Sequence, residues 1–494
     1  MNGWKETDSL HPFFICQGKS GNLVSPPRFY IMGLYKREVI VMSAIEKLIF
    51  HIKSQSATRL LLAGYCLVIL LGTLLLCLPV SLQNPSQIDV FTAFFTATSS
   101  ACVTGLILVD TWTHWTLFGQ IVILFLIQIG GLGFMTVCIA AVSFTHHKIG
   151  MSSRIVMQNA ISAPQMGGIV RMTRFVTAGT LLAETIGAAL LSFHFIPQLG
   201  LAEGIWYSVF HSVSAFCNAG FDLMGQFEPF SSLTSLSDNL LVNLTIMALI
   251  VSGGLGFLVW SDLLRCRFRF RSLSFHSKIS LSVTLLLLLA GVLLLFILET
   301  DGPAMSAMSE GEKWLTALFQ AVTARTAGFN TLNLGAMTEA GLFVMILLML
   351  VGGSPGSTAG GIKTTTFAVL MLSIITTSKH RRSAEAFGRR LEEGTTRTAA
   401  CVLMSYLLLS CSAAIVISHN EGLPLLSCLF ESVSAIATVG VTTGITSSLS
   451  QFSAALLALL MIFGRVGSLT LLRSIWSGRG FTGSQVPQEK IQIG

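Results

Sequence analysis

Long apolar runs alternate with short polar breaks along most of the chain. The first, Leu60–Pro79, is about 20 residues long, enough at ~1.5 Å per residue to cross a hydrocarbon core. Comparable runs lie at about 117–143, 175–197, 240–264, 279–298, 340–378 (interrupted), 399–417 and 452–476, which predicts eight spans. Between the two spans of each pair lies a shorter apolar segment that stops at a glycine. The four segments are FTATSSACVTGL (Phe95–Leu106), HSVSAFCNAGF (His211–Phe221), FQAVTARTAGF (Phe319–Phe329) and FESVSAIATVGV (Phe430–Val441). Their helical parts, about ten residues each, are too short to cross and read as re-entrant pore helices followed by extended loops.

These segments are copies of one another. Phe95, Phe210 and Phe430 each precede a glycine by ten residues (Gly105, Gly220, Gly440), and Phe319 precedes Gly328 by nine. The glycines recur at intervals of 115, 108 and 112 residues, an internal repeat. The expected fold is therefore an all-α polytopic membrane protein. It has four tandem span–pore helix–span units around a pseudo-fourfold central pore, with eight transmembrane helices and four pore helices. The units are residues 58–146, 147–265, 266–379 and 380–476. Residues 1–57 form an N-terminal segment, partly disordered or an over-extended start with Met42 as a candidate initiator, and 477–494 a tail. Residues 1–42 lack a signal-peptide pattern.

Charge placement orients this arrangement. The linkers between units carry Lys148, Arg154, Arg171 and Arg174; then Arg265, Arg267, Arg269, Arg271 and Lys278; then Lys379, Arg381, Arg382, Arg389, Arg390 and Arg397. The loops around the repeats hold only Lys313 and Arg325 as basic residues, against acids that include Asp110, Asp222, Glu228, Glu310 and Glu421. The positive-inside rule makes both termini and all linkers cytoplasmic, with pore loops dipping in from outside and an acidic mouth that concentrates cations. Only 11% of residues are charged, against roughly 25% in soluble domains. The net charge of +7 follows topology and does not point to nucleic acid. The ten cysteines show no CxxC or Cys/His metal spacing and read as small buried apolar groups.

A dehydrated cation needs oxygen ligands in place of water, and backbone carbonyls from several loops can supply them. Inward-pointing carbonyls require a backbone that glycine tolerates best. The expected ring is Val103-Thr104-Gly105, Asn218-Ala219-Gly220, Thr326-Ala327-Gly328 and Thr438-Val439-Gly440. A second repeat lies in the later span of each unit: GGLGF (Gly130–Phe134), GGLGF (Gly253–Phe257), GGSPG (Gly352–Gly356) and GRVGS (Gly464–Ser468). In the first two copies small residues let helices approach closely. The third copy runs on as GGSPGSTAGGIKTTT to Thr366, non-helical backbone tolerated at that depth only where it lines a cavity or is buried in protein. The fourth places Arg465 where the others have Gly131, Gly254 and Gly353, and a charge in a span faces a water-filled interior as a rule.

Together, SAFCNAGFD, TARTAGFNT, TSSACVTGL and GGSPGSTAGGIKTTT resemble the Trk/Ktr/HKT superfamily of potassium transporters, closest to the KtrB-type ion-translocating subunit, over roughly residues 58–476. No extra pair of N-terminal spans of the Trk type precedes Leu60. The resemblance implies potassium uptake across the cell inner membrane, with K+ as the transported ion and often sodium dependence, and no cofactor bound by this chain. It implies a homodimer in the lipid bilayer with a cytoplasmic KtrA-type ring of RCK domains that responds to ATP and ADP. It makes 352–366 an intramembrane gating loop (Gly353, Ser354, Pro355, Gly356, Ser357, Thr358, Ala359, Gly360, Gly361, Lys363), with Arg465 as an electrostatic barrier to cations or as the loop's partner. Lys363 either anchors the loop or faces the cavity. Gly105 keeps the potassium pattern, since serine there accompanies sodium passage in plant members.

Three further polar residues are expected to be structural. Glu184 pairs with a neighbour or a pore helix, Arg325 braces a filter through Glu431 or another acid, and His211 is hydrogen-bonded. Two rival classes stand beside the pore. A sodium-coupled or poorly selective cation transporter of the same fold shares every motif. Gly352–Gly356 also matches G-x-S-x-G, but an intramembrane hydrolase needs a strand–turn–helix setting and a base, and Pro355 follows the serine. No HExxH, P-loop or Rossmann string offers a catalytic site.

Overall fold

The computed structural model describes residues 57–84, 88–133, 169–380, 383–392 and 394–467. The readings made for residues 1–56, for Lys148 and Arg154, and for the C-terminal tail lie outside these. The described chain is helical apart from one two-residue hairpin (β1, Glu385–Ala386; β2, Arg389–Arg390) and isolated bridges. Its helices run α1 (Ala57–Leu76), α2 (Val90–Cys102), α3 (Leu117–Leu132), α4 (Ile169–Leu199), α5 (Leu201–Cys217), α6 (Leu240–Leu255) and α7 (Phe257–Arg265). They continue as α8 (Phe275–Glu299), α9 (Glu310–Thr323), α10 (Glu339–Leu350), α11 (Thr364–Ser378), α12 (Thr395–Glu421), α13 (Leu425–Ile436) and α14 (Gln451–Val466). A further single turn, Thr111–His114, follows the first repeat segment.

Polar caps start the helices where the apolar runs begin. Asp89 accepts from the Phe91 and Thr92 amides, Asn239 from Val242, Thr338 from Gly341 and Ser450 from Ser453. Ser309 and Glu312 form a capping box at α9. Helices α2, α5, α9 and α13 carry the four repeat segments. They are 13, 17, 14 and 12 residues long, longer than the ten-residue estimate because each starts before its repeated phenylalanine. The repeated phenylalanines, Phe95, Phe210, Phe319 and Phe430, are fully buried, whereas Leu74, Phe193 and Leu289 on outer helices are mostly exposed. Lipid is as apolar as leucine, so this inner packing is driven by close contact and internal hydrogen bonds rather than by hydrophobic transfer.

Among the described residues, α4 (from Arg171), α8 and α12 are long and apolar enough to cross a membrane unbroken. The expected span 240–264 is instead two helices bent by 92° between α6 and α7. The cause is the last glycine of the second repeat. Gly133, Gly256 and Gly467 cap α3, α6 and α14 with φ of 81°, 88° and 93°, a conformation that stops a helix and that L side chains avoid. In the third copy the break widens to the loop Val351–Lys363 between α10 and α11. The first glycine of each string does pack tightly. A side chain at Gly130, Gly253 or Gly464 would collide with the carbonyl of Ala101, Phe216 or Ile436, near the end of a repeat helix.

Candidate functional site

Three of the four repeat helices end in the same hydrogen-bonded turn. Val103, Asn218 and Thr438 adopt left-handed backbone with φ of 57°, 59° and 52°. The next amide reaches back five residues: Thr104 to Ser99, Ala219 to Ser214 and Val439 to Ser434, each at 2.8 Å. This is a Schellman closure, with a non-glycine residue at its left-handed position. In the third copy Thr326 is also left-handed (φ 69°), but the Ala327 amide reaches back only four residues, to Thr323 at 2.9 Å. The missing residue is thus taken from the helix end. The left-handed residue still stands two before the glycine in all four copies.

The glycines close a circle. Gly105, Gly220, Gly328 and Gly440 have φ of 94°, 68°, 92° and 93°. A side chain at Gly105 would strike the carbonyl of Ala219, and one at Gly220 would lie 2.7 Å from that of Ala327. One at Gly328 would lie 2.8 Å from that of Val439, and one at Gly440 would strike that of Thr104. Each glycine therefore abuts the middle carbonyl of the next copy, in cyclic order. Eight of the expected residues, the four glycines and the residue before each, are brought together in this circle, and the geometry excludes a Cβ at each glycine.

Behind the ring, a hydroxyl four residues after each phenylalanine ties the turn down. Ser99 Oγ accepts from the Gly105 amide at 3.1 Å, and Ser434 Oγ accepts from Gly440 at 3.1 Å while donating to the Val441 carbonyl at 2.7 Å. Ser214 Oγ donates to the Phe221 carbonyl at 2.7 Å, and Thr323 Oγ1 to that of Phe329 at 2.5 Å. The repeated Ser/Thr of the sequence motif was the signal for this brace, though its role was not legible. Glu431 is not paired with Arg325, contrary to expectation. Its buried carboxylate instead accepts from Thr442 Oγ1 (2.6 Å), the Thr443 amide (2.9 Å) and Thr446 Oγ1 (2.6 Å), so it holds the outer loop of the fourth copy. Glu184 does meet a repeat helix, accepting from Gln128 Nε2 at 3.3 Å and from Cys217 Sγ at 3.8 Å. His211 accepts from the Leu223 amide through Nε2 (3.4 Å), which leaves Nδ1 to donate to the Tyr207 carbonyl at 2.8 Å.

One side of the ring opens to a cavity of about 520 Å³ lined by the four glycines and by Asp110, Asp222 and Glu228. On the other side lies the loop Val351–Lys363. Thr358 Oγ1 lies 2.9 Å from Asn218 Oδ1 and 3.1 Å from the Phe216 carbonyl, and a side chain at Gly360 would meet Thr438. The Ser354 and Thr358 amides donate to the Gly254 and Gly253 carbonyls at 2.9 and 3.3 Å. Three cations hold the loop through carbonyls alone. Arg325 donates to Gly352 at 2.7 Å and Lys363 to Ala359 at 2.7 Å, which resolves Lys363 as an internal anchor. Arg465 donates to Thr358 at 2.5 Å and also to Gly130 and Gly131. Among the described residues no carboxylate pairs with Arg465. Gly353, Pro355, Gly356, Ser357, Ala359 and Gly361 complete the loop, and the Gly356 carbonyl accepts from the Phe257 amide at 3.0 Å. Ser354 Oγ accepts from Thr364 Oγ1 at 3.2 Å, with no histidine in the cluster.

A ring of four turns with a vestibule of about 520 Å³ on one side and a tethered loop on the other points to a membrane transport protein rather than an enzyme. Comparison with known proteins agrees. The chain matches the TrkH profile, described as cation transport protein, over residues 38–477, and it belongs to that family. It is 39% identical over 448 residues to the potassium/sodium uptake protein NtpJ of Enterococcus hirae, which covers 90% of this chain and 98% of the relative. It is 38% identical over 418 residues to the Ktr system potassium uptake protein B of Bacillus subtilis, covering 84% and 92%. The crystal structure of the potassium transporter TrkH from Vibrio parahaemolyticus shares the fold, with a TM-score of 0.66 at 17% identity over 85% of each chain. The protein is a multi-pass membrane protein of a transporter family, and the hydrolase reading of Gly352–Gly356 falls.

Two outcomes follow from this geometry. Replacing Glu431 by alanine strands four donors, one of them, Thr446 Oγ1, on a buried residue, and should lower unfolding stability by about 2–4 kcal/mol, with Glu431→Gln losing less; thermal unfolding of the purified protein in detergent checks the order. In the vestibule wall, burial pushes the half-buried Asp222 carboxyl up to about 7, with Asp110 adding to the rise against an opposing bond from the Met224 amide. The group is neutral below that pH and charged above it. Cation flux at subsaturating concentration should therefore rise as the pH on the vestibule side goes from about 6 to 8, and Asp222→Asn should flatten the profile.

Proposed function

We propose that this chain carries potassium into the cell through the four-copy carbonyl ring, with the loop Val351–Lys363 as its gate. The observation that carries the proposal is the cyclic contact of Gly105, Gly220, Gly328 and Gly440 with the carbonyls of the following copies. It gathers oxygen ligands from four loops at one level, as a dehydrated cation requires. The vestibule is the outer mouth, and its acids raise local cation concentration. Each of the four units supplies a span, a pore helix and a second span broken at its glycine. Both termini lie in the cytoplasm, on the same side as the basic linkers.

The loop closes the inner side. It is held by unit two through Gly253, Gly254 and Asn218, by unit three through Arg325, and by units four and one through Arg465. Arg465 adds an electrostatic barrier. At an effective dielectric of ~20 a like charge opposes a cation by about 4 kcal/mol at ~4 Å and still by roughly 1.4 kcal/mol, ten-fold in rate, at ~12 Å. Opening means breaking these bonds, and a cytoplasmic regulatory ring that responds to ATP and ADP, bound to a homodimer of this chain, supplies that work. The name of the Bacillus relative, a Ktr system protein, favours a multi-component assembly. The name of NtpJ includes sodium, which keeps a sodium-coupled or less selective transporter of the same fold as the second reading.

A bacterial strain deficient in potassium uptake, grown at low potassium with this chain alone or with a KtrA-type partner, tests the proposal; no rescue in either condition, with the protein in the membrane, would overturn it. In that strain Gly105→Ser should admit sodium, because the side chain forces the ring open at a residue held at φ 94°. Unchanged selectivity would remove Gly105 from the ring. Arg465→Ala should raise flux by roughly ten-fold or more, measured as potassium uptake normalised to protein; equal or lower flux would end the barrier role.

A further inference from the structure

The turn between α7 and α8 has a composition that ion conduction does not use. It reads Arg265-Cys266-Arg267-Phe268-Arg269-Phe270-Arg271, and every arginine in it is exposed. None of the four donates a side-chain hydrogen bond to a described residue. Phe268 and Phe270 are 64% and 47% exposed. The turn closes α7 with a Schellman pair, Phe268 amide to Leu263 carbonyl at 2.9 Å and Arg267 amide to Leu264 carbonyl at 3.3 Å. Glycine is the usual residue at such a left-handed position, yet Arg267 and Phe268 hold it with φ of 50° and 58°. Backbone strain is thus accepted where it projects a cation and an aromatic ring outward.

Two more features meet there. Phe270 packs edge-on against Phe387 at 6.1 Å, in the β1–β2 hairpin that carries Arg389 of the next basic linker two residues on. Like charges gathered on one face repel unless an anion joins them. Between the end of α7 and the start of α8 lies a cavity of about 350 Å³ lined by Leu258, Ser261, Asp262, Arg265, Ser274 and His276. His276 Nε2 is buried with no partner among the described residues. The one acid, Asp262, is occupied by the Ser274 amide at 2.8 Å and by Cys266 Sγ at 3.7 Å.

We propose that this turn binds the headgroup of an anionic phospholipid, with Arg265, Arg267, Arg269 and Arg271 at the phosphate layer and Phe268 and Phe270 at the acyl boundary. The inference rests on the membrane orientation proposed above. The observation that favours lipid over a soluble anion is the pair of exposed phenylalanines, which free phosphate leaves uncovered. The turn also stands at the foot of α8, which is long and apolar enough to cross the membrane. Basic clusters at the cytoplasmic end of a span recognise anionic headgroups by charge, and aromatic rings settle at the interface.

The test is native mass spectrometry of the full-length protein in detergent, titrated with phosphatidylglycerol or phosphatidylcholine. The wild type should retain phosphatidylglycerol with a preference of roughly five-fold or more. A variant with all four arginines changed to glutamine should fall to parity, and one with all four changed to lysine should keep most of the preference, which separates charge loss from misfolding. Equal preference in the wild type and the glutamine variant overturns the proposal. So does displacement of the lipid by inorganic phosphate at comparable concentration, which would mark a site for the free anion. If the glutamine variant keeps its lipid preference but loses capture by a KtrA-type partner, the patch is a protein interface and the lipid reading falls. Lipid retention does not depend on which ion passes, so failed growth rescue with intact lipid preference would count against the transport proposal alone. Labelling of Ser272→Cys in a cysteine-depleted background, in intact cells against inverted vesicles, reports the orientation separately.

Discussion

The structure is organised by the lack of room for a side chain at four backbone positions. Each ring glycine lies against a carbonyl of the next copy, so the four turns can meet only if all four positions lack a Cβ and accept positive φ. Everything around them serves that approach. The helix ends are closed by left-handed turns, Ser/Thr hydroxyls brace those turns, and the repeated phenylalanines are fully buried behind them. The ring's parts are backbone, glycine and hydroxyl.

The loop below the ring has the opposite construction. It is irregular backbone in the interior of a membrane protein, so each exposed amide and carbonyl must find a partner there. The Gly253 and Gly254 carbonyls accept two of its amides, and Arg325, Lys363 and Arg465 satisfy three of its carbonyls. Hydrogen bonds from charged donors contribute about 1.5–3 kcal/mol each. A closed loop held by several such bonds will not open through thermal motion alone at an appreciable rate. On the proposed reading of the loop as a gate, its opening therefore needs work from outside the loop.

Much of this was legible in the sequence because it recurs. Four glycines at one period, four preceding phenylalanines and the GGSPGSTAGG string marked the four turns that meet and the loop beside them without coordinates. What was not legible has a common cause: the same letters serve two structural purposes. The apolar run 240–264 has the length and hydropathy of one span, and nothing in its composition distinguishes a packing glycine, Gly253, from a helix-ending one, Gly256. Glu431 and Arg325 look like an ion pair on charge alone. Each instead satisfies backbone groups and hydroxyls, because unpaired amides and carbonyls lie nearer than the opposite charge.

The third unit shows how two departures from the repeat belong together. The residue just before the left-handed position is Cys102, Cys217 or Ala437 in three copies, and small in each, but Arg325 in the third. In units one, two and four the first glycine of the second repeat packs on the repeat helix, against the Ala101, Phe216 and Ile436 carbonyls. In unit three that glycine, Gly352, has been drawn into the loop and faces Gly360 instead. The contact between second span and pore helix is lost there, and Arg325 restores it by donating to the Gly352 carbonyl. The shortened helix end supplies the geometry, since with one residue fewer the turn closes as Ala327 to Thr323 and leaves Arg325 at the helix terminus beside the loop. The deletion, the arginine and the broken span therefore belong together: where the second helix gives way to a loop, a cation at the end of the repeat helix ties that loop to the turn.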